Sequence, residues 1–106
     1  MYKPLPESLT IKQSGINGLG LFADQKIMQG TNFGMSHLKI GDTIFRTPLG
    51  GFINHSSTPN CIKAELRMTS EDLQGHQYYY KKWNLITGQD IKEGEELTLR
   101  YTFYNV

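Results

Sequence analysis

The sequence predicts an all-β domain, and three observations carry that prediction. No window of a dozen residues keeps apolar side chains at i, i+3, i+4 and i+7 without a Gly or Pro interrupting. Short runs that alternate apolar and polar residues recur along the chain instead. Turn-forming residues at Gly30, Gly41-Asp42, Gly75, Gly88 and Glu93-Gly94 separate those runs at the spacing of an all-β fold. Together they predict about six to eight short strands with at most short helical turns.

Taken in order, Leu9-Thr10-Ile11-Lys12-Gln13 alternates and reads as the first strand. Gly20-Leu21-Phe22-Ala23 follows a glycine-rich turn and reads as the second. Thr43 to Thr47 is β-branched and aromatic, which suits a third. Ile62, Ala64, Leu66 and Met68 alternate with Lys63, Glu65 and Arg67, the pattern of a half-buried strand. Thr69 to Gln74 offers the best helical turn, with Ser/Thr and early acids at its start and Gly75 stopping it. Tyr78 to Thr87 reads as a long strand. Glu96 to Tyr101 reads as the last, with Leu97, Leu99 and Tyr101 on one face.

The 106 residues make room for a single domain, residues 1–106, with no internal repeat or linker. Leu, Ile, Val and Phe form about a quarter of the chain, enough for a core and above the level at which disorder is expected. Eleven Lys+Arg against ten Asp+Glu leave a net charge of +1, which disfavours direct nucleic-acid binding through phosphates. Cys61 is the lone cysteine, so neither an internal disulfide nor a cysteine-rich zinc site is available, and no metal is expected. The N-terminus has no apolar signal-peptide core, and no apolar run approaches the ~18 residues of a membrane span. An intracellular protein, in cytoplasm or host nucleus, is the expectation.

Three segments carry candidate chemistry. Ser14 to Ala23 contains Gly18-Leu19-Gly20, where a backbone free of side chains can approach a ligand closely. A tight hairpin turn explains it equally, and the dinucleotide fingerprint is missing its third glycine and its helix. Gly50 to Cys61 contains Asn54-His55-Ser56-Ser57-Thr58-Pro59-Asn60, which also suits Asx turns. His55 alone reads as a structural histidine, and no nucleophile elbow precedes the serines. Ile91 to Tyr101 joins a Lys-Glu-Gly turn to a strand ending at Tyr101, and its glutamates read as a solvated turn.

Found together and in this order, the three segments resemble the SET-domain protein lysine methyltransferases. Gly18 to Ala23 is similar to the family's Gly-x-Gly element and Asn54 to Asn60 to its Asn-His-Ser-x-x-Pro-Asn motif. Gly94 to Tyr101 is similar to its Gly-Glu-Glu-Leu-Thr-x-x-Tyr motif. Ile27 to Thr31 fits the strand-turn after the glycines, and the resemblance spans residues 9–104. It implies a SET-domain β-clip of small curved sheets with a pseudoknot-like C-terminal crossing.

By the same resemblance, Gly18, Leu19 and Gly20 would hold the methionyl part of S-adenosyl-L-methionine, with Asn54 and the backbone of His55 contacting the cofactor. Tyr101 would be the catalytic tyrosine, and Tyr78, Tyr80, Phe103 and Tyr104 are candidates for an aromatic lysine channel. The implied partner is a protein substrate bearing a lysine, histone-like or other. The family's insert before the Asn-His-Ser motif is reduced here to Ser36–Gly50, Gly51 replaces an Arg or Asn, and Arg100 replaces an acid. Small viral and bacterial members are similarly minimal, and a homo-oligomer could complete the groove. These departures keep a non-catalytic SET-like binding or structural module as the alternative to an active methyltransferase.

Overall fold

The computed structural model describes residues 5–100, and those residues form two four-stranded sheets and one short helix. The first sheet has the order β1 (Leu9–Gln13), β2 (Leu19–Ala23), β8 (Glu96–Leu99), β5 (Asn54–His55). The second has the order β4 (Thr43–Arg46), β3 (Asn32–Ile40), β7 (Gln77–Thr87), β6 (Cys61–Glu71). The helix α1 (Pro48–Phe52) joins the two. Leu21, Leu97 and Leu99 from the first sheet and Leu85 from the second meet Ile53 and Ile91 in one shared core.

Each predicted strand has a counterpart and β1 has the predicted bounds, while the last strand stops at Leu99 and its predicted end at Tyr101 lies outside the described residues. The β1–β2 hairpin closes through the Ser14 N–H donating to the Gly18 carbonyl at 2.7 Å, with Gly18 at φ +48°. β6 and β7 form an uninterrupted antiparallel ladder from Cys61–Thr87 to Glu71–Gln77.

Two elements differ from expectation. Thr69 to Glu71 extend β6 and do not start a helical turn. The acid that suits a helix start closes the hairpin instead, because Asp72 Oδ1 accepts the N–H groups of Gln74 and His76, both at 2.9 Å. β3 has no strand-like alternation because it carries two register shifts, one between Asn32 and Gly34 and one between Met35 and His37. A bulge breaks the period of two, so the consecutive Ser36 and His37 are both buried.

The helix lies in the shortened stretch before the Asn-His-Ser segment. Pro48 opens it, and its two glycines hide it from a propensity reading. Gly50 is required by packing, since a Cβ there would overlap the Ser36 carbonyl and crowd the His37 ring. The C-terminal crossing takes the form of β8 inserted between β2 and β5. β8 runs antiparallel to β2 through Leu21–Leu97 and Phe22–Glu96, and parallel to β5 through Asn54–Thr98 and His55–Leu99.

Candidate functional site

Inserting β8 between β2 and β5 brings the three sequence segments together around one side-chain pair, Asn54 and Glu96. Asn54 Nδ2 donates to Glu96 Oε2 at 2.8 Å, and to the carbonyls of Asn17 and Leu19 at 3.1 and 3.2 Å. The Ser14 hydroxyl donates to the two oxygens of the same carboxylate, at 2.7 and 2.8 Å. Ser14 also fixes its own turn by accepting the Ile16 N–H at 2.9 Å. The glycine turn, the Asn-His-Ser segment and the Glu-Glu-Leu-Thr strand are thereby tied at one point.

This geometry revises one sequence reading and adds a packing role at a second residue. Glu96 is no solvated turn residue, because its carboxylate gathers donors from residues 14 and 54. Gly20 is needed for that carboxylate, since a Cβ at residue 20 would overlap Glu96 and crowd Asn54 Nδ2. Gly18 faces open space and has the positive φ that glycine tolerates. The Leu19 side chain beside it is exposed.

Asn60, which the sequence reading left without a role, locks β8 from the far side. Its Oδ1 accepts the Thr98 N–H at 2.8 Å and its Nδ2 donates to the Glu96 carbonyl at 2.9 Å. Its own N–H donates to Thr98 Oγ1 at 3.2 Å. A single side chain thus stands in for a strand alongside β8. The loop is held further by the Ser56 N–H on the Leu99 carbonyl at 3.1 Å and Arg100 Nη2 on the Ser57 carbonyl at 2.8 Å. Arg100 therefore has a structural partner in the loop. An Asn following Thr-Pro was the signal for this lock, but its partner lies 38 residues away.

Gly18, Leu19, Gly20 and Asn54 meet in this cluster, and His55 sits beside it on β5 with its side chain exposed. Tyr78 and Tyr80 are not brought to it. Their ring centroids are 6.1 Å apart near the hairpin tip. The cluster lies beyond the opposite end of β7, where the Gly88 N–H meets the Asn60 carbonyl. Seven residue steps separate Tyr80 from Thr87, about 23 Å along a strand. Tyr101, Phe103 and Tyr104 lie outside the described residues.

Two other groups with reactive side chains are turned inward. Burial pushes the Cys61 thiol up to about 12, against an opposing backbone hydrogen bond from Thr98, so it stays protonated. His37, beneath α1, has its pKa lowered to about 4 by burial and then by the Lys63 and Arg46 charges. Its Nδ1 pairs with the Ser36 hydroxyl at 3.0 Å, and Ser36 donates to the Trp83 carbonyl at 3.1 Å.

The cluster has an open valence suited to a ligand. Asn54 Nδ2 is committed to three acceptors, whereas among the described residues no protein donor reaches Asn54 Oδ1. A carbonyl-type acceptor next to the Glu96 carboxylate, at the lip of a glycine turn, suits an ammonium group. Among the described residues no group of three His, Cys, Asp or Glu is placed to hold a metal ion. No helix among them is long and apolar enough to cross a membrane.

Comparison with known proteins follows the same lines. The SET domain family profile matches residues 35–102, which takes in the Asn54–Asn60 and Gly94–Tyr101 segments but not the glycine turn. Among solved structures, the chain is similar to a candidate histone methyltransferase of Plasmodium falciparum, with a TM-score of 0.64 at 14% identity. That likeness covers 93% of this chain and 96% of the other, and at such identity it is a likeness of fold. No curated protein sequence matches the chain.

Proposed function

The chain belongs to the SET-domain family, and from that premise we propose that it transfers a methyl group from S-adenosyl-L-methionine to the ε-amine of a protein lysine. The observation that carries this reading is the convergence of Ser14, Asn54 and Glu96, with the Asn54 oxygen left open. The methionyl ammonium is a donor that this oxygen can accept, and the Glu96 charge favours a cation there. The Gly18 turn leaves room for the cofactor's approach, and the Asn54–Glu96 clamp holds that turn against β8.

When bound, S-adenosylmethionine supplies a methyl group on a positively charged sulfur, which a neutral amine displaces directly. The protein's task is then to bind, align and keep the amine unprotonated. A lysine amine with a pKa near ~10.4 in water needs a channel that disfavours its charged form. Alignment within such a channel contributes as an orientation effect. Tyr101 follows β8 by two residues and is proposed to orient the amine at the channel's end. The substrate class is proposed to be a lysine-bearing protein, histone-like or other.

The test combines calorimetry with labelled methyl transfer to histone and whole-protein panels. Wild type is expected to bind S-adenosylmethionine and label a protein band. Asn54→Ala is expected to weaken cofactor binding about tenfold or more, the scale of a lost charge-assisted hydrogen bond. Tyr101→Phe is expected to keep cofactor binding and lower the transfer rate. A folded wild type that neither binds the cofactor nor labels any panel would sink the proposal and leave a non-catalytic module.

A further inference from the structure

The second sheet has two unlike faces. Trp83 and Leu85 of β7 point to the core side, so period two sends Tyr78, Tyr80, Lys82, Asn84 and Ile86 to the other. Register places Phe45, Leu38, Lys82 and Leu66 abreast across all four strands on that outer face. Ile40, Tyr80 and Met68 form the neighbouring row, and Ile86 with Ile62 closes the face toward the sheet's other end. Phe45 is 51% exposed and Ile62 54%, and Ile40, Leu66 and Tyr78 are exposed with them. Lys82 is the sole charged residue on this face among the described residues.

A half-buried antiparallel sheet ordinarily turns polar side chains to water. Here the outward side chains of β6 are Ile62, Ala64, Leu66 and Met68, while its charged residues lie on the other side. The face also carries both a projection and a recess. A groove of about 290 Å³ lies between Met35, Leu38, Ile40, Tyr78, Tyr80 and Lys82. Phe45 projects beside it, directly across the strand pair from Leu38. An apolar cavity of about 150 Å³ accommodates a benzene ring, so the groove has room for a phenylalanine side chain.

We propose that this outer face of the β4-β3-β7-β6 sheet is the interface of a twofold dimer, with Phe45 of each copy seated in the other's Leu38–Ile40–Tyr80 groove. A twofold contact requires one patch to be complementary to itself, and a projection and a recess on the same face meet that requirement. Size agrees. At about 4.8 Å spacing, β6 and β7 over eight residue steps, β3 over six and β4 over three give a footprint of about 400 Å² per copy. Two such faces bury about 800 Å² in total, the scale of a weak, transient interface, so the dimer forms only at high protein concentration. Lys82 has a stem long enough to carry its ammonium to the rim while its methylenes pack. The proposal does not rest on the methyltransferase reading, and its test needs no cofactor or substrate.

Sedimentation velocity over low to high micromolar protein reads the outcome. The mass of wild type is expected to rise from 12.1 kDa toward twice that value with concentration. Phe45→Glu is expected to weaken association about a hundredfold, equivalent to about 2.7 kcal/mol, while keeping the wild-type circular dichroism. Should Phe45→Glu fail to fold, Phe45→Ala, which adds no charge, is expected to shift the equilibrium the same way. A wild type that stays at 12.1 kDa throughout overturns the dimer, as does association that both variants leave unchanged. A monomer that cosediments with phosphatidylglycerol vesicles also overturns it, and would assign the face to a lipid surface.

Discussion

Gly20 and Gly50 show how a missing side chain can be a packing requirement. Each sits where a Cβ would enter occupied space, Gly20 against the Glu96 carboxylate and Gly50 against the Ser36 carbonyl. A carboxylate at the end of a side chain can swing away, whereas a backbone carbonyl cannot. Gly50→Ala is therefore expected to destabilise by about 1–3 kcal/mol in urea unfolding, despite the ~1 kcal/mol that alanine gains within a helix. His37 supplies a pH dependence. Its pKa is about 4 in the fold against 6.5 ordinarily, so the unfolded chain binds the extra proton between those values. Stability is full above about pH 6.5 and falls as the pH drops toward about 4, by on the order of 3 kcal/mol in total. His37→Gln is expected to flatten that decline in urea titrations at pH 7 and pH 4.5. At this scale Asn54 and Glu96 were each legible as members of a motif, but the hydrogen bond between them was not. Hydrophobic patterning shows which way a residue faces and nothing of a hydrogen-bond partner 42 or 82 positions away.

Among the elements, those with clean alternation were readable and those with bulges or glycine pairs were not. β1 is a paired strand of regular period, and its bounds follow from Leu9 to Gln13 directly. β3 pairs with two neighbours yet carries Gly34 at φ +96° and two register shifts, so its pattern cancels. The β6–β7 tip was ambiguous for a chemical reason, since one acid can cap a helix or close a turn. Asp72 closes a turn, and the hydrogen bonds it accepts from Gln74 and His76 hold its carboxyl below the usual range. Asp72→Ala is expected to speed hydrogen exchange at the Gln74 and His76 amides while leaving the thermal midpoint unchanged. An unchanged exchange rate would mean the tip is ordered by the strands alone. β6 is also an edge strand, and its Lys63, Glu65 and Arg67 on the core-side face guard it against strand addition.

For the whole molecule, the all-β class was legible, but the strand order was not, because short strands carry no label for their partners. Only the resemblance of three motifs indicated that the last strand crosses back among the early ones. β8 depends on β2 near the start of the described chain and on β5 near its middle, and Asn60 secures it. Asn60→Ala would strand the Thr98 N–H and the Glu96 carbonyl together, and is expected to cost about 2–4 kcal/mol. The measurement is the urea midpoint, with an unchanged slope showing that unfolding remains one transition. The same architecture has a consequence for the order in which the protein can come into being. A ribosome delivers β1, β2 and β5 long before β8, and among the described strands β2 lacks its second neighbour and β5 any neighbour until β8 emerges. The nascent chain can complete the second sheet early, since β3, β4, β6 and β7 precede residue 88. The cluster around Asn54 is thus completed late, when the final described strand enters the gap between β2 and β5. Any partner that recognises that gap would meet the protein only during its synthesis.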